Sequence, residues 1–122
     1  RKTMGKIRKT VLGIALAVCV LGSSVSSCYA ATSSIEVGVT ATSAWGNFRY
    51  EEAGHHLKVT VYYSEKDSQG NTRIDEVSAH QFGNFISVYV SRPSPAGWQY
   101  MNGYARGFVD DVLEALSAVM HA

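Results

Sequence analysis

The sequence predicts a mainly β protein: a small antiparallel β-sandwich or barrel with one C-terminal α-helix, following a cleaved signal peptide. Three observations lead there. Apolar and polar residues alternate with period two in several separate segments, the mark of half-buried strands. The breaks between them are short and rich in Gly, Asn and Pro, so the strands connect as hairpins and the doubly wound nucleotide-binding folds are excluded. After Gly107 the apolar residues recur at helical spacing instead.

The first 30 residues read as a leader. Of eleven Lys and Arg in the chain, five (Arg1, Lys2, Lys6, Arg8 and Lys9) lie in the first nine positions, and no acid precedes Glu36. Met4 is the expected start, so residues 1–3 lie upstream of it. A basic stretch (6–9), an apolar run of eleven residues (11–21) and a small, polar segment (22–30) make the three-part plan of a secretory signal peptide. The apolar run is shorter than the roughly 17 to 25 residues a spanning helix needs. Cys28-Tyr29-Ala30 predicts cleavage before Ala31, whereas Val25-Ser26-Ser27-Cys28 resembles a lipobox that would leave a lipidated Cys28. Release, and hence a secreted protein, is the expectation, with a membrane-tethered lipoprotein as the alternative. Both cysteines, Cys19 and Cys28, then fall outside the folded part, which is expected to carry no disulfide and no thiolate chemistry.

Residues 31–122 form the predicted single domain. Ile35, Val37, Val39 and Ala41 alternate with polar or small neighbours, giving a first strand. Residues 45–52 give a second, with Gly46 as a bend, and residues 51–54 turn the chain. Leu57, Val59, Val61 and Tyr63 alternate with Lys58, Thr60, Tyr62 and Ser64 in the clearest strand. A polar loop over 65–71 returns the chain through 72–80 as a hairpin. Residues 85–91 are β-branched and aromatic and end before Pro93 and Pro95, which cannot continue a ladder. Residues 98–106 make a last strand, broken at Asn102-Gly103. Phe108, Val109, Val112, Leu113, Leu116, Val119 and Met120 then predict a helix over 108–120, with Asp110 and Asp111 in its first turn, where the helix dipole favours acids.

Charge and motifs narrow the function. Without its leader the chain keeps six basic residues against ten acids, a net charge of −4, and the six are scattered, so nucleic acid is not an expected partner. No Gly-x-Ser-x-Gly elbow and no phosphate-binding Gly-rich loop occurs, and the carboxylate pairs Glu51-Glu52, Asp75-Glu76 and Asp110-Asp111 are sequence neighbours, not groups spaced across a cleft. A catalytic site, a cofactor and a metal are therefore not expected. His55 and His56 point to opposite faces if extended, and only a turn at Gly54 would let them converge on one ion; His80 could join them, but no acid stands at ligand spacing to complete a zinc set. Aromatics are the distinctive feature: twelve of the thirteen Phe, Tyr and Trp lie after residue 30. Trp45, Tyr62, Trp98, Tyr100 and Tyr104 are the candidate binding residues, since aromatics beside Gly, Asn and Gln can stack on sugars or seat a protein.

Ser43-Ala44-Trp45-Gly46-Asn47-Phe48, then His55-His56 and Val59-Thr60-Val61, resemble the pattern of the lactococcin 972 family of secreted bacteriocins. Gly83-Asn84-Phe85-Ile86-Ser87-Val88 resembles that family's Gly-x-aromatic strand, and residues 98–104 fall where its aromatic C-terminus would be. The resemblance spans about residues 37–106; the helix expected over 108–120 has no counterpart in it. It implies a cysteine-free β-sandwich, exported through a leader, that acts on the bacterial envelope by engaging a cell-wall precursor. The expected function is thus a secreted, non-enzymatic antibacterial or envelope-binding protein that meets a cell-wall component or an envelope protein. The alternative is a secreted or lipid-tethered structural or protein-interaction module whose terminal helix docks a partner.

Overall fold

A computed structural model describes residues 18–21, 24–29, 32–91 and 97–122. The described residues form ten strands: β1 (Val18–Leu21), β2 (Val25–Tyr29), β3 (Ser33–Val39), β4 (Ser43–Tyr50), β5 (His55–Lys66), β6 (Thr72–Gly83), β7 (Phe85–Ser91), β8 (Gln99–Val109), β9 (Val112–Leu116) and β10 (Met120–His121). They form two antiparallel sheets. Sheet A runs β1-β2-β3-β4-β7, and sheet B runs β10-β8-β5-β6, with β9 sharing the outer edge of β8 with β10.

The period-two pattern produces this architecture directly. On sheet A, Ile35, Val37 and Val39 of β3, Ala44 and Phe48 of β4, and Ile86 and Val88 of β7 are buried; on sheet B, Leu57, Val59, Val61, Ala105 and Val109 face them. These two inner faces form one hydrophobic core. Gly46, expected as a bend, lies inside an unbroken β3–β4–β7 register. At Gly107 the two sheets are in close contact, because the Phe48 ring lies on its bare backbone where any Cβ would overlap the ring.

The C-terminal helix over 108–120 does not form. β8 runs on through Val109, Asp110 and Asp111 turn the chain with φ of 50° and 69°, and β9 returns beside β8. Positive φ at both central residues is what a two-residue hairpin loop of type I′ requires, and Asp tolerates it better than most residues. The two acids are a hairpin turn, not the first turn of a helix. The apolar residues follow accordingly: Val109, Ala115 and Met120 are buried, while Val112, Leu116 and Val119 are exposed. The break expected at Asn102-Gly103 is absent too, since β8 is continuous there.

Residues 1–17, 22–23 and 30 of the expected leader, and with them the expected cleavage point between Ala30 and Ala31, lie outside the described residues. Its described residues supply β1 and β2 at the edge of sheet A, with Ser26 and Cys28 buried in the sandwich. Cys28 therefore does not lie outside the fold; it is disulfide-bonded, and its register partner on β1 is Cys19. In this arrangement its sulfur is not free to carry a lipid.

Candidate functional site

The two outer faces of the sandwich differ in how fully their polar groups are paired. On sheet A the Glu36 carboxylate accepts from Asn47 Nδ2 at 2.6 Å and Ser27 Oγ at 3.3 Å, and the Arg49 guanidinium sits 4.7 Å over the Phe85 ring. Trp45 shares this face and lies flat over Gly38, which has no side chain to hold it off.

Sheet B carries the more distinctive face. In β5 the residues alternating with the core stripe, His56, Lys58, Thr60, Tyr62 and Ser64, point away from the core. The β5–β8 register sets Tyr62 beside Tyr104, Thr60 beside Arg106 and Lys58 beside Phe108. Tyr62 and Tyr104 stack with centroids 5.1 Å apart and planes 19° from parallel. The Arg106 guanidinium lies 4.9 Å over the Tyr62 ring and 5.6 Å from that of Tyr104, and Lys58 Nζ lies 5.5 Å over Phe108. Arg106 Nη2 reaches the Tyr104 hydroxyl only at 3.4 Å, and its Nε is buried with no hydrogen-bond partner among the described residues. A buried donor left unpaired is costly, so among the described residues Arg106 is the one whose buried polar side-chain atoms are not all satisfied, while its guanidinium lies over the stacked tyrosines.

A β-bulge decides which tyrosines belong to this face. Tyr100 and Tyr104 are four residues apart and would share a face on a regular strand. The β5–β8 register slips between Ser64 and Glu65, leaving Met101 without a partner on β5, so Tyr100 turns into the core while Tyr104 faces out. Tyr100 packs edge-on against Tyr63, and burial pushes its hydroxyl pKa up to about 12. Trp98 lies elsewhere, beneath the Arg73 guanidinium at 4.4 Å, and Arg73 Nε donates to the buried Glu65 carboxylate. Of the five aromatic candidates the structure therefore joins only Tyr62 and Tyr104. Lys58, Arg106 and Phe108 complete the platform and escaped the sequence reading; cross-strand register, which no single strand reveals, is what assembles them.

The histidines divide as adjacent strand residues must. His55 Nδ1 bonds Asp110 Oδ2 at 2.7 Å and its Nε2 bonds Glu52 Oε1 at 3.1 Å, which raises the imidazole pKa and, through the first contact, lowers that of Asp110. Asp110 Oδ1 also accepts from the His56 N–H at 3.0 Å, tying the β8–β9 turn to the start of β5. His56 turns the other way, 3.3 Å from His80 Nδ1 and edge-on to Phe82. Both His55 nitrogens are taken by carboxylates, and among the described residues no three His, Cys, Asp or Glu side chains are arranged to hold a metal ion. Comparison with family models, with curated proteins and with solved structures finds no match to this chain.

Proposed function

We propose that this is a non-enzymatic, secreted envelope-binding protein of the antibacterial kind that the resemblance to the lactococcin 972 family implies. Its contact surface is the Tyr62–Tyr104–Arg106 platform on sheet B, and its ligand is a cell-wall glycan precursor that presents a sugar ring beside an acidic group. One observation carries the reading: a stacked tyrosine pair overlaid by an arginine guanidinium on the outer face of sheet B. Aromatic faces pack against the C–H faces of sugars, and guanidinium donors take carboxylate or phosphate oxygens. The platform rests on β5 and β8, the central strands of sheet B, so it is held rigidly and pre-organised.

Co-sedimentation with purified peptidoglycan sacculi and titration with a soluble lipid-linked precursor in micelles test this. Arg106→Gln should weaken binding about tenfold, the loss of one charge-assisted contact of roughly 1.4 kcal/mol or more, with little change in melting temperature. Tyr104→Ala should do the same. Binding insensitive to both substitutions, or no binding to either preparation, overturns the proposal.

A further inference from the structure

We propose that the protein pairs with a second copy of itself through β6, the two strands running antiparallel about Ser78 and joining two copies of sheet B into one continuous sheet. β6 is the outermost strand of sheet B and is bonded to β5 on one side only. Its twelve residues pair with β5 without a single register shift. Exposed edges of this length are normally blunted by charged side chains, Lys above all, by Pro or by a bulge. Thr72 to Gly83 contains no Lys and no Pro, and no bulge interrupts its pairing with β5; of its charged residues Arg73 is tied to Glu65, which leaves Asp75 and Glu76 as the charges that a partner strand must meet. It also carries the two most exposed large apolar side chains among the described residues, Ile74 at 81% and Phe82 at 74%.

The order of side chains identifies the occupant of this edge. Val77 and Ala79 pack against the core, so Ile74, Glu76, Ser78, His80 and Phe82 lie on the outer face. Read in either direction this face is apolar, ionisable, serine, ionisable, apolar. A symmetric antiparallel pair has its two-fold axis at a residue pair, so the central residue fixes the register. With Ser78 at the centre, Ile74 faces Phe82 and Glu76 faces His80, each twice, and Ser78 faces its own copy. Asp75 then faces Gln81 on the opposite face, and no like charges meet. Centring on Val77 would set Ile74 against His80 and Phe82 against Thr72. Centring on Ala79 would set Glu76 against Phe82. Only the Ser78 register matches apolar with apolar and acid with histidine, which is what stabilises cross-strand pairs. The edge is complementary to itself.

Sedimentation velocity over a concentration series, with circular dichroism to check the fold, tests the pairing on the whole protein. The wild type should dimerise reversibly. Glu76→Lys places a cation against His80 twice per dimer and should raise the dissociation constant about tenfold, and Ile74→Lys should do likewise. The charge swap Glu76→Lys with His80→Glu should return it to within about twofold of the wild type. Ser78→Cys should form a covalent dimer under mild oxidation, because directly opposed residues lie about 4.5 to 5.5 Å apart between Cα atoms, within disulfide reach. Asp75→Cys should not. A protein monomeric at every concentration overturns the proposal, as does a dimer indifferent to Glu76→Lys and Ile74→Lys. Failure of the charge swap to restore pairing, or equal cross-linking of Asp75→Cys and Ser78→Cys, overturns it as well.

Discussion

Replacing Gly107 by Ala adds one methyl group where β8 lies directly against the Phe48 ring of the opposite sheet. A Cβ there would stand 2.6 Å from Cε1 and 2.7 Å from Cγ of Phe48, whereas carbon atoms in contact prefer about 3.5 to 4.0 Å. Phe48 is fully buried and has nowhere to swing. Overpacking of this kind costs about 1 to 3 kcal/mol, and several ring atoms are struck at once, so the upper half of that range applies. The alanine also restricts the unfolded chain, which returns about 0.4 to 1 kcal/mol. The net expectation is a loss of about 2 kcal/mol, read as a lower urea midpoint at unchanged m-value. Phe48→Leu alone should cost a similar amount, by leaving the space beneath β8 underfilled. The double variant should be more stable than the sum of the two losses by about 1 kcal/mol, because the smaller side chain relieves the overlap. Additive losses, or a Gly107→Ala variant as stable as the wild type, would mean that Phe48 does not seat on β8. The stated facing of the sheets, and with it the support beneath Arg106, would then be wrong.

Other expectations follow from the turn that closes β8. Asp111 sits at positive φ, so Asp111→Gly should raise the melting temperature by a few degrees, about 0.5 kcal/mol, through the Asp-Gly pair such loops favour. The contact of His55 with Asp110 has two pH limits. With its pKa raised above 6.5, His55 contributes stability fully below that value and loses it as pH rises through the folded pKa; Asp110, lowered from 3.8, contributes above that value and loses it as pH falls through its own folded pKa. The contact is therefore strongest between about pH 4 and 6.5. NMR titration should find His55 above 6.5, and Asp110→Asn should bring it down; an unshifted His55 would refute the contact. Leu116 is exposed on β9, so Leu116→Asp should cost under about 1 kcal/mol, where a buried helical stripe would have lost several.

The strands of the sandwich were legible because alternation of apolar and polar residues is a local property, and Leu57 to Ser64 displays it without interruption. Two features were not. The apolar residues from Phe108 to Met120 fit a helical stripe by spacing, yet they fit equally two strands around a turn once the register shifts between Gly107 and Phe108, so that Ala115 and Leu113 pair with these two neighbours on β8. The conformation of Asp110 and Asp111 decides between them. Likewise the outward tyrosines were visible as residue types, but Tyr100 and Tyr104 share strand parity and only the bulge at Met101 separates them. Bulges and cross-strand register depend on the partner strand, and so does the meeting of Arg106 with Tyr62.

The leader and the sandwich make opposing demands on residues 25–29, and the difference is measurable. A protein starting at Ala31 would lose β2 and its five rungs on β3, the buried Ser26 and Cys28 with the disulfide, and some cover over Ile35 and Val37. Partial exposure of two large aliphatic side chains plus a small buried one corresponds to roughly 2 to 4 kcal/mol, against a total stability of about 5 to 15 kcal/mol for a domain of this size. The shortened chain should therefore stay folded with a lower melting temperature, and β3 should become the new edge of sheet A. Neither the Tyr62–Tyr104–Arg106 platform nor the β6 edge draws a residue from β1 or β2, since both belong to sheet B. Binding to sacculi and self-association should accordingly be the same for the 31–122 chain and the full one. An unfolded 31–122 chain would make β2 an integral strand and rule out cleavage before Ala31 in the working protein. A folded chain that no longer binds would place part of the contact surface on sheet A.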